Sequence, residues 1–146
     1  MRALIQRVTG GSVTIDGEVY SKIGFGMVVL LGIAKTDTAK DVEQIAKKLV
    51  NLRIFNDEEG RLNRSLLDIA GEALIVSQFT LYADCTKGLR PGFEQAAPAE
   101  HARTLYEQFV EQVRLLGVKT GAGIFQADML VEIANDGPVT VLLESK

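Results

Sequence analysis

Hydroxyl and amide side chains appear abruptly where an apolar stretch ends. Ala73–Val76 is a continuous apolar run, and it is followed directly by Ser77, Gln78, Phe79 and Thr80. Polar groups at the end of a buried strand can line a functional site instead of filling a core. The alternative is an ordinary strand end whose serine and threonine satisfy nearby backbone groups. The pattern taken alone favours that alternative, so the rest of the chain must decide.

Nucleophilic catalysis is narrowly limited because the chain contains one cysteine, Cys85, and one histidine, His101. A single cysteine excludes an intramolecular disulfide and a multi-cysteine metal cluster. A serine or cysteine nucleophile would therefore depend on His101 as its base. His101 falls on the more polar side of a predicted helix, which favours a surface histidine. No third residue is apparent to support a thiol hydrolase built from Cys85 and His101.

Gly137-Pro138 is the second segment whose residue types could serve a site. It lies within Asn135-Asp136-Gly137-Pro138, which is good turn chemistry, so a hairpin turn is one interpretation. In the functional interpretation, glycine lets bare backbone approach a ligand and proline fixes its direction. A cis peptide before Pro138 is one of the two isomers open to this bond.

The composition is that of a globular protein, with 146 residues, 47% of them hydrophobic and 24% charged. No apolar run approaches the roughly 20 residues of a membrane helix, and the first residues lack the apolar core of a secretion signal. We therefore expect a cytoplasmic protein with no membrane partner. The net charge of −3 argues against broad capture of nucleic acid, because counterion release needs many cationic contacts. A small basic patch for a strand end stays compatible with it.

Alternation of apolar residues around Asp16-Gly17 predicts a β-hairpin. Continuous apolar runs bounded by glycine predict buried strands. Two amphipathic stretches predict helices, one starting near Thr36 or Asp37 and one near Pro98. The remaining predicted elements are strands at Ala3–Val8, Met27–Ile33, Ala73–Val76, Gly121–Phe125, Asp128–Ile133 and Val139–Leu143, and a second hairpin around Asn56–Gly60.

These elements predict an α+β fold, with a mostly antiparallel, barrel-like β-sheet and two main helices in a single domain spanning residues 1–146. The apolar strands exceed what two helices can cover, which hints at a homodimer. One competing interpretation is a non-catalytic RNA- or nucleotide-binding module on a small barrel. That module would leave the polar strand end and Gly137-Pro138 without a role.

Two motifs taken together resemble the signatures of the D-aminoacyl-tRNA deacylases, also called D-tyrosyl-tRNA deacylases. They are Ser77-Gln78-Phe79-Thr80-Leu81 and Asn135-Asp136-Gly137-Pro138-Val139-Thr140. The N-terminal segment Met1–Val8 and the segment Lys87–Pro91 are also similar to that family. The resemblance spans essentially the whole chain, in order and with ordinary spacing.

The resemblance implies a homodimer with two active sites at the subunit interface. Gly137-Pro138 would carry a cis peptide and enter the site of the opposite subunit, where Ser77–Thr80 lines the other side. The substrate would be tRNA carrying a D-amino acid on its 3′-terminal ribose, with glycine as a further substrate. Hydrolysis would release the amino acid and tRNA, and it would involve neither a metal nor another cofactor.

An aminoacyl ester is already activated, so catalysis has mainly to position it and stabilise the oxyanion. Backbone N–H groups at Gln78, Phe79 and Thr80 are the expected donors. Thr80 is the obvious nucleophile, but a threonine hydroxyl needs a base and none is evident. A water positioned with help from the 2′-hydroxyl of the tRNA is the favoured attacking group. Gly137 and Pro138 are expected to read handedness by excluding the side chain of an L-residue.

The contacts to the tRNA 3′ end follow from charge and aromatic character. The candidates for its phosphates are Arg7, Lys87 and Arg90, each of which has an ordinary surface or ion-paired role as its alternative. Phe125 and Phe79 are candidates to stack on the terminal adenine. Core packing is the alternative for both, and it is the favoured interpretation for Phe79.

Overall fold

The computed structural model of the chain describes residues 1–145. It contains two helices, eight strands and one short 3₁₀ turn. The elements, in order, are β1 (Arg2–Ile15), β2 (Glu18–Ile23), β3 (Gly26–Gly32), α1 (Ala39–Asn51), β4 (Phe55–Asn56), β5 (Leu62–Arg64), β6 (Glu72–Ser77), the 3₁₀ turn (Phe79–Tyr82), α2 (Ala99–Leu115), β7 (Lys119–Ala122) and β8 (Leu130–Glu144).

Strand β1 is the centre of the main sheet because it pairs with three others. It is antiparallel to β2, β3 and β8, whereas β3 pairs with β6, and β6 with β7, in parallel. The two ends of the strand order also lie close together, since a Cβ added to Gly121 of β7 would lie 2.5 Å from Ser21 Oγ of β2. The sheet is therefore nearly closed, and the predicted α+β, barrel-like, mostly antiparallel fold is confirmed.

The core has two parts, one on each face of the sheet. In the larger part, alternate residues of β1 and β3 such as Ile5 and Val29 pack against the apolar stripes of α1 and α2, including Leu49 and Phe109. In the smaller part, residues of the opposite parity, such as Val28, meet the second half of β1 and β2. The period-two alternation of the strands thus fills both faces.

The predicted hairpin at Asp16-Gly17 is confirmed. Both residues have positive φ, 50° and 78°, as the tight turn between antiparallel strands requires. Ile15 pairs with Glu18 on either side of the turn. The strand before it is longer than predicted, because β1 runs without interruption from Arg2 to Ile15.

Helix α1 begins at Ala39 and not at Thr36 or Asp37 as predicted. Thr38 is its N-cap, and the Thr38 N–H and hydroxyl donate hydrogen bonds to the Asp41 carboxylate at 2.8 and 2.9 Å. Burial would raise the pKa of Asp41, but the hydrogen bonds from Thr38 hold it below its ordinary value. This reciprocal cap, together with acidic charge in the first turn, sets where the helix starts.

The hairpin-turn interpretation of Asn135–Pro138 is wrong, and the strands predicted at Asp128–Ile133 and Val139–Leu143 are not separate elements. The whole segment is one strand, β8, which pairs along β1. Gln6 pairs with Thr140 and Val8 pairs with Asn135, so residues 136–139 all lie opposite Arg7 alone. They form a bulge that carries Gly137-Pro138 out of the ladder.

No helix within residues 1–145 combines the length and apolar character needed to cross a membrane.

Candidate active site

The segment after β6 turns sharply, and two of its backbone amides have no hydrogen-bond acceptor within residues 1–145. Gln78 N–H is used by the main chain, since it donates to Leu31 O at 2.8 Å. The first hydrogen bond inside the 3₁₀ turn runs from Leu81 N–H to Gln78 O at 3.3 Å. The N–H groups of Phe79 and Thr80 come before that bond, so they have no intrahelical partner. Of the three predicted amide donors, these two are therefore free to bind an oxyanion.

The Thr80 hydroxyl lies beside an amide and not beside a base. Gln78 Nε2 donates a hydrogen bond to Thr80 Oγ1, and both side chains are near the surface. His101 is engaged elsewhere, with its Nε2 3.0 Å from the main-chain oxygen of Asp37. Cys85 is exposed. A general base for Thr80 is thus not provided by the hydrogen-bond partners within residues 1–145.

A cavity of about 610 Å³ opens beside the turn. This volume lies within the range of pockets that bind small molecules. Its lining is mainly apolar with a few polar residues. It includes Ser77, Gln78, Phe79, Phe125, Met129 and Val131.

The preference for Phe79 as a core residue is wrong. Its side chain is 58% exposed, and its ring packs edge-to-face on Phe93 with 5.0 Å between centroids. Phe125 lines the same cavity, but it is partly buried and packs against the main core, as its core-packing alternative expects. Its ring contacts Tyr106, with 5.9 Å between centroids, and the Arg103 guanidinium lies 5.2 Å from the Phe125 centroid. The two phenylalanines thus form apolar surfaces of the same cavity.

The bulge of β8 exposes the second motif. The Gly137–Pro138 peptide is cis. Gly137 has a φ of +117°, a backbone conformation that residues other than glycine rarely adopt. Gly137 and Pro138 are both exposed. A Cβ added to Gly137 would lie 2.8 Å from Arg7 Nη2 and 3.0 Å from Val139 Cγ2. Glycine is therefore required here both by the backbone conformation and by the close packing.

Arg7 anchors the bulge from the interior of the protein. Its Nε lies 3.2 Å from both Asp136 O and Asp136 Oδ2. Its Nη1 donates to Ile54 O at 3.0 Å and to Asn56 Oδ1 at 3.2 Å. With the residue only 7% exposed, the guanidinium is directed at the protein interior. This position does not favour the prediction that Arg7 binds a tRNA phosphate, and it makes Arg7 a support of Gly137-Pro138.

Lys87 and Arg90 lie exposed on a loop that is closed at its neck. Asp84 and Gly92 exchange two backbone hydrogen bonds, each of 2.8 Å. The Asp84 carboxylate also accepts a hydrogen bond from Thr86 N–H at 2.9 Å, and this bond lowers the pKa of Asp84. The two cations are thus presented to solvent by an ordered loop.

Within one chain the two motifs do not meet. Ser77 pairs with Leu31, Leu31 with Ala3 and Ala3 with Leu143, so β6 and β8 are separated by two intervening strands. The bulge lies opposite Arg7, several residues further along. Strand spacing and rise put the motifs on the order of 15–20 Å apart.

A row of apolar side chains crosses the sheet on the face opposite the helices. Leu4 pairs with Leu30 on one side and with Leu142 on the other, and Leu30 pairs in turn with Val76. Residues in register across strands point to the same face. Leu142 is 47% exposed, and Leu4 and Leu30 are half-buried. The row leads from the strand that ends at Ser77 to the strand that carries Gly137-Pro138.

Comparison with known proteins decides the family. A family model described as D-Tyr-tRNA(Tyr) deacylase matches residues 4–144. The chain belongs to this family. It is 56% identical to a D-aminoacyl-tRNA deacylase of Fervidobacterium nodosum, covering 100% of the chain and 98% of that relative. It is 57% identical to one of Roseiflexus castenholzii, covering 99% of the chain and 92% of that relative.

Solved structures support the same fold. One described as c-Myc DNA Unwinding Element Binding Protein has a TM-score of 0.95 and 47% identity, covering 100% of the chain and 99% of its own. Another, a probable eukaryotic D-amino acid tRNA deacylase, has a TM-score of 0.85 and 19% identity, with 97% of each chain covered. At 19% identity, this second structure supports the fold only. The protein is a D-aminoacyl-tRNA deacylase, and it hydrolyses the ester that joins a D-amino acid to tRNA.

Two features of the candidate site escape prediction from sequence. Met129 and Val131 line the cavity, although a strand pattern marks them only as generic apolar residues. Arg2 reaches the 3₁₀ turn from the opposite end of the chain, with Nη1 2.9 Å from Leu81 O. No local signal announces that contact, because it depends on strand pairing between distant segments.

Proposed function

We propose that the deacylase works as a homodimer in the cytoplasm, with Ser77–Thr80 of one subunit facing Gly137-Pro138 of the other. The observation that carries this proposal is the separation of the two exposed motifs within one chain. The apolar row through Leu4, Leu30 and Leu142 supports it, because a two-fold interface needs a self-complementary patch. Such a pairing creates two equivalent sites, each with parts from both subunits.

In the proposed site, the ester carbonyl oxygen is held by the N–H groups of Phe79 and Thr80. Preorganised amides of this kind stabilise the oxyanion that forms during ester hydrolysis. Ser77 and Gln78 line the cavity, and the Gln78 side-chain amide donates a hydrogen bond to the Thr80 hydroxyl. The attacking group is a water, positioned with help from the 2′-hydroxyl of the terminal ribose. Thr80 then acts through its backbone.

Handedness is read by the backbone of Gly137 and Pro138. A carbonyl of this segment accepts a hydrogen bond from the α-amino group of the substrate, and the same segment collides with the side chain of an L-residue. The filter works by excluding the wrong partner, and it senses the α-carbon instead of side-chain identity. Glycine has no side chain to exclude, so glycyl-tRNA passes in part.

The steric filter predicts an order of hydrolysis among matched tRNA esters. D-tyrosyl-tRNA should be cleaved rapidly, glycyl-tRNA more slowly at higher enzyme concentration, and L-tyrosyl-tRNA not above the spontaneous rate. The measurement is loss of labelled amino acid from tRNA over time. Complete protection of glycyl-tRNA at high enzyme concentration would contradict a purely steric filter.

Removing the backbone N–H of Phe79 should slow hydrolysis more than removing the hydroxyl of Thr80. Phe79→Pro removes an unpartnered N–H at the first position of the turn, where proline is tolerated. The residue before it, Gln78, has a φ of −146° and a ψ of 80°, which avoids the helical region that a following proline disfavours. Loss of one oxyanion donor lowers the rate of hydrolysis by about 100- to 1,000-fold.

The matched controls are Phe79→Ala, which loses the same ring but keeps the N–H, and Thr80→Ala, which loses only the hydroxyl and the methyl group. Both should keep a near-normal single-turnover rate on D-tyrosyl-tRNA. An acyl group trapped on Thr80, or equal rates for Phe79→Pro and Phe79→Ala, would show the assignment of roles to be wrong.

Mixing two inactive variants tests whether the site spans two subunits. Gly137→Ala should slow turnover, because the added Cβ crowds Arg7 and the backbone is strained at a φ of +117°. Combined with Phe79→Pro at equal amounts, it forms hybrid dimers that have one fully intact site. Random pairing then restores about a quarter of the wild-type activity.

The control for the glycine substitution is Gly117→Ala, whose φ of +96° is also strained for alanine but whose added Cβ would meet no atom nearer than 4.0 Å. It should leave turnover unchanged, so that any loss in Gly137→Ala is assigned to position and not to backbone strain. If the mixture of inactive variants shows no recovery although hybrid dimers are present, the two motifs do not cooperate between subunits.

We assign the tRNA 3′ end to the cavity and the neighbouring loop. Phe125 offers its ring to the terminal adenine, a common mode for unpaired RNA bases. Lys87 and Arg90 contact phosphates of the single-stranded end, and their exposure on an ordered loop supports this role. Arg7 is left out of this set because its guanidinium is buried.

Neutralising the loop cations should reduce the salt dependence of tRNA binding. Lys87→Gln combined with Arg90→Gln is expected to flatten the slope of log affinity against log salt by about 0.7 for each lost contact. The matched control neutralises Lys47 and Lys48, which are exposed on α1. Equal slopes for the two double variants would show that Lys87 and Arg90 do not contact the tRNA phosphates.

A further inference from the structure

Arg2 lies at the end of the sheet on which the 3₁₀ turn rests. It pairs in register with Gly32 of β3 on one side and with Glu144 of β8 on the other. The chain on either side is held as well, since Ser145 N–H donates to Met1 O at 2.9 Å. The three in-register residues Gly32, Arg2 and Glu144 therefore form a fixed row at this end of the sheet.

The Arg2 guanidinium makes three contacts at once. Nη1 donates to Leu81 O at 2.9 Å, and Nε lies 2.7 Å from Glu144 Oε1. The guanidinium carbon lies 4.6 Å from the centroid of the Tyr82 ring. A planar fork can satisfy a carboxylate, a carbonyl and an aromatic face together, whereas a lysine ammonium is a point charge without that geometry.

Gly32 supports the same turn from below. A Cβ on Gly32 would lie 3.1 Å from Gln78 O and 3.1 Å from Leu81 Cβ. The turn therefore sits directly on the backbone of β3, with its start tied to Leu31 by the Gln78 N–H bond. Arg2 fixes the other end, at Leu81 and Tyr82.

A turn of this kind needs such support. It is only four residues long, and the hydrogen bonds of 3₁₀ geometry are poorer than those of an α-helix. Its carbonyls at the C-terminal end lack intrahelical donors. Thr80 O is satisfied by Ala83 N–H at 3.0 Å, and Leu81 O by Arg2.

We propose that Arg2, oriented by Glu144, is a positioning residue for deacylation, which holds the Phe79 and Thr80 amides in place by fixing Leu81 and Tyr82. This inference rests on the proposed role of those two amides. A phosphate ligand is the alternative role for an arginine near a tRNA site. It is disfavoured because Nε is already paired with Glu144 and Nη1 with Leu81 O.

The test compares Arg2→Gln, Arg2→Lys and Glu144→Gln in single-turnover hydrolysis of D-tyrosyl-tRNA at saturating enzyme. Affinity for uncharged tRNA and thermal unfolding are measured on the same samples. Small misplacement of catalytic groups costs up to about 100-fold in rate. We expect Arg2→Gln to lose about tenfold or more and Arg2→Lys to recover part of the loss. Affinity for uncharged tRNA should not change.

Glu144→Gln keeps the Arg2 side chain and removes only its orienting charge, so a smaller loss of rate is expected. In the Arg2→Gln background it should add nothing, because residues that act as a unit are not additive. The control is Arg61→Gln, which removes an arginine from an exposed pair with Glu59, 3.1 Å apart. It should hydrolyse D-tyrosyl-tRNA at the wild-type rate.

Weaker tRNA binding with an unchanged rate at saturation would make Arg2 a phosphate ligand and overturn the proposal. So would a rate for Arg2→Gln equal to that of Arg61→Gln. If Arg2→Gln fails to fold, Glu144→Gln decides, and a wild-type rate in that variant is equally damaging. Equal rates for Phe79→Pro and Phe79→Ala would instead show that the amides do not bind the oxyanion. Failure of the proposed function is therefore distinguishable from failure of the proposal for Arg2.

Discussion

The buried guanidinium of Arg7 is the interaction on which the second motif depends. A buried charge is tolerated only when it is paired and fully hydrogen-bonded. Arg7 is paired with Asp136 in the bulge through Nε, and its Nη1 donates to Ile54 O before β4 and to Asn56 Oδ1 in β4. Removing it would leave Asp136 and the neighbouring carbonyls without donors. The bulge is thereby tied to two parts of the fold, which gives it one defined position.

Features that depend on neighbouring residues could be predicted from the sequence, whereas features that depend on distant residues could not. The turn at Asp16-Gly17 depends on two adjacent residues with positive φ, so the sequence is sufficient. Asn135–Pro138 has equally good turn chemistry, yet it forms a bulge because β1 pairs with β8 on both sides of it. That pairing joins residues more than a hundred positions apart, and no local pattern contains it. The motif and its cis peptide are therefore accessible through the family resemblance, whereas the bulge that carries them is not.

The predictions for two individual side chains, Arg7 and Phe79, were wrong for a related reason. Arg7 is cationic and Phe79 is apolar, so residue type alone assigns the first to the surface and the second to the core. The structure does the reverse, with Arg7 7% and Phe79 58% exposed. Arg7 is buried because the bulge supplies its acceptors, and Phe79 is exposed because β6 ends and the chain turns. Inversions of this kind, where local preference loses to tertiary context, are expected near functional sites.

The proposed backbone-based site would explain how this chain hydrolyses its substrate with one histidine and no evident base. The substrate ester is activated, so holding the carbonyl and the α-carbon is the main requirement. Backbone amides at Phe79 and Thr80 and the rigid Gly137-Pro138 segment need no particular side chain for that task. In the proposed dimer, a filter made of backbone excludes by position, so the substrate side chain is free to vary. Breadth across D-amino acids and strictness about handedness then have the same physical origin.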